Sequence, residues 1–152
     1  MKSEPDVLGV FNVHVRKPIE LVRFALEHFQ GDCLLSLEGD LSRLDVSLIP
    51  GASRKPTDLL PRNTILPKQD FVILPVTAAT IDAIDRHVLP HVGLREHVEH
   101  IQIASKGKPV FGAYDNFDPG CVWIDQAIGK DAIVSLLDSG IIKSYQARSA
   151  NL

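Results

Sequence analysis

Four histidines, His87, His91, His97 and His100, fall in one short stretch of the chain. Neutral imidazole is the commonest transition-metal ligand, and His87 and His91, four residues apart, would share one face of a helix. His97 and His100 then open the following strand, and Asp85, Glu96 or Glu99 can add a carboxylate. Two features oppose a metal centre. Pro90 interrupts the helical pair, and His97 and His100 point to opposite faces of an extended strand. The spacing matches no compact ligand signature, so no cofactor is expected. Histidines at the end of an amphipathic helix are accounted for by the helix dipole alone, as a surface corner able to make binding pH-sensitive.

The segment Tyr114-Asp115-Asn116-Phe117-Asp118-Pro119-Gly120, with Asp125 beyond it, gathers oxygen ligands that suit a hard cation. It lacks the alternating ligands and terminal glutamate of a helix-loop-helix calcium site. Asp118-Pro119-Gly120 is strong turn chemistry, and a turn is the simpler reading. Glu38 and Asp40 flank Gly39 and are expected as solvated carboxylates of a hairpin turn. His14 projects with Asn12 from one face of the first strand, and with His97, His100 and Glu99 it makes up the candidate set for a small-molecule or metal-dependent enzyme. Nucleophilic catalysis has little support, because no serine stands in a Gly-x-Ser-x-Gly elbow. Gly51-Ala52-Ser53-Arg54-Lys55 and Gly129-Lys130-Asp131 lack the glycine and lysine spacing of a phosphate loop.

The elements that must position these residues follow from periodicity. Val7 to Val15 alternates as a strand. Pro18 opens a helix whose Ile19, Val22, Ala25, Leu26 and Phe29 recur at helical spacing up to Gly31. Cys33 to Glu38 and Arg43 to Ile49 are expected as strands joined in a hairpin across Gly39-Asp40, which makes the first unit βαββ. A Pro-rich connection (residues 50–69) carries Pro50, Pro56, Pro61 and Pro67, and only Thr57 to Leu60 has the makings of a helical turn. Phe71 to Val76 is a nearly continuous apolar strand. Thr77 is expected to cap a helix ending near Pro90, and Val98 to Ser105 with Pro109 to Asp115 forms a hairpin across Lys106-Gly107-Lys108. Strand (Cys121 to Ile124), helix (Lys130 to Ser139) and strand (Ile141 to Tyr145) form a βαβ tail.

The expected fold is α+β: one globular domain over residues 1–152, with a mainly antiparallel or mixed sheet and helices packed on one face. Two βαββ halves, about 7–49 and 70–115, would be joined by the Pro-rich connection. At 152 residues and 45% hydrophobic content the chain is long enough for one core. A net charge of −3 gives no general attraction to phosphate backbones, so nucleic acid is not an expected partner. The two cysteines, Cys33 and Cys121, sit in apolar runs and read as buried thiols rather than a disulfide framework. No signal segment or run of membrane-spanning length is present, which points to a cytoplasmic protein.

These features favour a non-enzymatic recognition domain for a protein partner over an enzyme using the histidine-rich segment. Tyr114, Phe117 and Trp123 with Asp115 and Asp118 are the expected contact set on one surface. Arg54, Lys55, Arg62 and Lys68 of the Pro-rich segment, against the lone Asp58, would meet an acidic partner surface or a phosphate group, unless the segment is simply a solvated loop spanning the two halves. Self-association through an edge strand such as Ile141 to Tyr145 is a further expectation.

Overall fold

Alternation of Phe11, Val13 and Val15 with Val10, Asn12 and His14 is realised as strand β1 (Val10–Val15). The computed structural model describes residues 9–93 and 96–149, so Val7 and Leu8 of the expected strand lie outside the described residues. Pro18 at the first position starts α1 (Pro18–His28), since its fixed φ suits a helix and its missing N–H is not needed there. The helix buries Leu21, Val22, Ala25 and Leu26, and Gly31 at φ +97 reverses the chain into β2 (Cys33–Gly39). Then come β3 (Asp70–Val76), α2 (Ile81–His87), β4 (Val98–Ser105), β5 (Lys108–Ala113), β6 (Val122–Asp125), α3 (Lys130–Asp138) and β7 (Ile142–Arg148).

The strands form one seven-stranded sheet in the order β3-β2-β4-β5-β6-β1-β7, antiparallel at every junction. Two halves of it share a topology. In β3-β2-β4 the outer strands are linked through α2 around β2, and in β6-β1-β7 they are linked through α3 around β1; β5 joins the halves. Such a crossover makes the outer pair parallel with one antiparallel strand between them.

Register explains the layers. Leu74, Leu35, Ile103, Phe111, Ile124, Phe11 and Ala147 run as one row across all seven strands. All of them but Ala147 are buried, in the same cluster as Leu21, Val22, Ala25, Ile84, Ile133 and Leu136 of the helices. The helices therefore cover one face, each fully buried leucine or isoleucine contributing about 1.5–3 kcal/mol. One residue further along lies the row Ile73, Ser36, Gln102, Gly112, Trp123, Asn12 and Gln146, which looks to the other face.

Three of the expected elements differ in the structure. Arg43 to Ile49 is no strand. It holds a single 3-10 turn, Val46–Leu48, started by the Asp45 carboxylate accepting from the Ser47 amide at 3.2 Å. The alternation there is real, but both edges of β2 are taken by β3 and β4, so no place remains for a hairpin partner. The first unit is thus βαβ in chain order, not βαββ. Likewise α2 starts at Ile81 and not at Thr77, whose hydroxyl closes a short turn by accepting from the Ala79 amide at 3.1 Å. Thr57 to Leu60 is a turn without helix, closed by the Leu60 amide on the Thr57 hydroxyl at 3.0 Å.

Candidate functional site

The face opposite the helices carries a chain of polar contacts across four strands. The Tyr114 hydroxyl, just beyond β5, donates to Gln102 Oε1 at 3.2 Å, and Gln102 Nε2 donates to Ser36 Oγ at 2.9 Å and to the Pro61 carbonyl at 3.0 Å. The Trp123 indole N–H meets the Tyr114 oxygen from the other side, and indole can only donate. Burial raises the Tyr114 phenol above its ordinary value, and the Trp123 hydrogen bond opposes that in part. Gly112, the residue of β5 in the same row, makes room for both rings. A Cβ there would sit 2.4 Å from Trp123 Nε1 and 2.8 Å from Tyr114 Cε2.

Half of this face is roofed by the Pro-rich segment. Leu60, wholly buried, packs with Phe71, Ile73 and Ala104 in a second apolar cluster. Beside it Glu38, 1% exposed, is the charged centre of the roof. One carboxylate oxygen accepts from the Asn63 amide and side chain at 2.8 and 3.2 Å, the other from the Thr64 amide and hydroxyl at 2.9 and 2.5 Å. Arg62 stands 4.0 Å away, lies over the Phe71 ring and donates to the Gln69 carbonyl. Four donors and a nearby guanidinium replace the water a buried carboxylate would lose. Glu38 is therefore a structural anchor, not the solvated turn residue its place beside Gly39 suggested.

That anchor has an outward consequence. Gln69 N donates to Thr64 Oγ1 at 3.0 Å and closes a short loop, at whose tip Ile65 and Leu66 stand 86% and 95% exposed. Among the described residues no other large aliphatic pair is so bare. Neither residue stands out in the sequence, because periodicity identifies apolar side chains but not which of them the fold leaves outside.

The expected contact residues separate. Tyr114 and Trp123 lie together, half-buried, on the sheet face, while Asp115 and Asp118 are exposed beside them. Phe117 is a correction: at 4% exposure it belongs to the core, plugged in from a turn in which Asp115, Asn116 and Phe117 all have positive φ. Such backbone costs about 1–2 kcal/mol per residue and persists only where tertiary contacts impose it. Here Phe117 is buried, and Asn116 donates through its amide to the Glu99 carbonyl at 2.8 Å and through its side chain to the Glu96 carbonyl at 2.9 Å. The Cys121 thiol lies 3.7 Å from a carboxylate oxygen of both Asp115 and Asp118; desolvation first, then those charges, raise it. Arg54 and Lys55 are exposed, whereas Arg62 is used internally as described.

The histidines do not converge. His87 and His97 are exposed, His91 is half-buried, and His100 is buried with Nδ1 accepting from the Asp115 amide at 3.2 Å. The hollow between His91, His97, Asp40 and Glu96 measures about 10 Å³, room for one water at most. Among the described residues no group of three or more His, Cys, Asp or Glu is arranged to hold a metal ion. Asp85 pairs with Arg23 of α1 at 2.7 Å, and Asp125 with Lys108 at 3.0 Å. His14 and Asn12 face the open side of the sheet, in register with Ser144 and Gln146.

A cavity of about 350 Å³ lies between the end of α1 and the start of α2, lined by Leu26, Gln30, Cys33, Val76, Thr77 and Ile81. Cys33 is in its wall, and burial pushes the thiol up to about 11, which suppresses the nucleophilic thiolate. Among the described residues no helix is long and apolar enough to cross a membrane. No known protein family, curated protein or solved structure matches the chain.

Proposed function

We propose that this chain is a non-enzymatic recognition domain for a protein partner, and that the Pro-rich loop leads the contact. The observation that carries the reading is the Ile65-Leu66 pair, nearly bare of contacts on a loop that a buried carboxylate holds in place. Exposed apolar side chains on an ordered loop bind at low cost in entropy, since the loop is already fixed. Exposed Arg54, Lys55 and Lys68 share the segment, so the fitting partner offers an apolar pocket with an acidic rim. Tyr114 and Trp123 on the adjoining sheet face extend the surface with the aromatic types that dominate binding energy.

The test is binding by the native chain against a variant carrying Ile65→Asp and Leu66→Asp, with a crosslinker introduced at Lys68 to report the partner. Partner capture that disappears in the variant while the thermal midpoint stays put supports the proposal. Capture that survives the double substitution overturns it.

A further inference from the structure

The two edges of the sheet are treated differently. On β3 the outward-turned residues are Phe71, Ile73 and Pro75: Ile73 exchanges both backbone hydrogen bonds with Ser53, at 2.9 and 2.7 Å, and Pro75 has no N–H to offer. That edge is closed to another strand by devices natural sheets use against unwanted pairing.

Among the described residues β7 has no such cover. The Gly9 carbonyl accepts from the Gln126 amide at 2.9 Å on the β6 side of β1. Backbone groups of alternate residues point to opposite sides of a strand, so Val10, Asn12 and His14 turn theirs toward β7. Their partners Arg148, Gln146 and Ser144 face inward, and Tyr145 and Ala147 turn N–H and C=O away from the sheet. β1 is the only strand paired with β7 among the described residues.

We propose that this edge pairs with the same edge of a second copy of the chain, antiparallel about a two-fold axis through Gln146. In that register Tyr145 lies opposite the small Ala147 of the other copy, and Gln146 meets its own amide on the open face. Arg148 lies opposite Ser144, so neither Arg148 nor Lys143 meets a like charge. Large beside small, amide beside amide and no cationic pair is the complementarity that stabilises a cross-strand interface. Tyr145 already stands edge-on to Phe11, ring centroids 5.7 Å apart, and brings that pair to the junction. A contact of this kind is isologous and closes at two copies, giving one continuous sheet with both Trp123 faces on the same side.

The register makes a sharp test. Position 146 would sit across the axis as a non-hydrogen-bonded pair, about 4.5 Å between Cα atoms, within reach of a disulfide. Position 144 would lie four residues from its counterpart along the strand, about 13 Å away and out of reach. Mild oxidation should therefore crosslink a Gln146→Cys chain to a dimer and leave Ser144→Cys and the unsubstituted chain uncrosslinked. Ala147→Pro deletes only an outward N–H, and sedimentation should show dimerisation weakened by about tenfold or more with unchanged circular dichroism. Gln146→Lys, which sets two cations across the axis, should act alike and covers the case in which proline disturbs the strand. A chain that sediments as a monomer over the micromolar range overturns the proposal, as does equal crosslinking at positions 144 and 146. Partner capture lost on changing Ile65 and Leu66, with the dimer intact, separates this interface from the proposed recognition loop.

Discussion

Thr64 is bound to Glu38 twice, by amide and by hydroxyl, on the same carboxylate oxygen at 2.9 and 2.5 Å. This places the end of a proline-rich connection on the second face of the sheet, and it makes one buried glutamate decide where Ile65 and Leu66 stand. A connection that composition alone describes as solvated is instead part of the packed structure, through Leu60 below and Glu38 beside it.

Glu38→Ala should cost about 2–4 kcal/mol of stability, because four donors in residues 63 and 64 lose the buried acceptor they share. Chemical denaturation measures it. Limited proteolysis should then cut first near Ile65, and a loss below 1 kcal/mol would mean that the loop is held by other contacts.

Gly112→Ala should destabilise the protein by about 1–3 kcal/mol, since its Cβ would meet Trp123 and Tyr114 closer than the 3.0 Å that non-bonded Cβ contacts essentially never undercut. The same substitution should shift the Trp123 fluorescence maximum, as the chain's one tryptophan must tilt away from the sheet. An unchanged spectrum and stability would contradict the close packing of both rings over this glycine.

Phe117→Ala should cost about 3–4 kcal/mol, near the usual loss for a buried aromatic, and should release the strained turn. Asn116→Gly should behave oppositely in backbone terms, relieving positive φ while losing the bond to Glu96. Equilibrium unfolding of the two variants reads the balance: Phe117→Ala must be clearly the worse of the two.

The Cys33 thiol is raised from the usual 9.0 to about 11 by burial, so the unfolded chain loses its proton first. Its contribution to stability is full below pH 9 and is lost as pH rises toward 11. Cys33→Ala should flatten that part of a thermal-midpoint profile measured from pH 8 to 11. In a Cys121→Ser background, a thiol reagent at pH 8 should label Cys33 only after denaturant is added. Rapid labelling of the native chain would show the cavity wall to be open.

Which stretches form strands and helices was largely legible from residue types: the alternation of Phe11, Val13 and Val15, Pro18 as a helix start, the apolar run Phe71 to Leu74 and the hairpin at Lys106-Gly107-Lys108 all depend on local periodicity and turn chemistry. The failures share a cause. Arg43 to Ile49 alternates well enough for a strand, yet β2 had both neighbours supplied from residues far along the chain. Phe117 sits among exposed turn residues and nonetheless reaches the core.

The candidate surface shows the same division. Tyr114 and Trp123 could be singled out as aromatic and near acidic groups, but their meeting over Gly112 depends on the register of β5 with β6. Glu38 beside a glycine reads as turn chemistry until Asn63 and Thr64, 25 and 26 residues on, surround it. Local pattern determined which segments become elements and which side chains could be apolar anchors, because those choices rest on period and on single-residue conformational preference. Only tertiary structure decided which carboxylate is buried, which leucine is bare and which sheet edge is left unpaired among the described residues, because each depends on what distant chain arrives alongside.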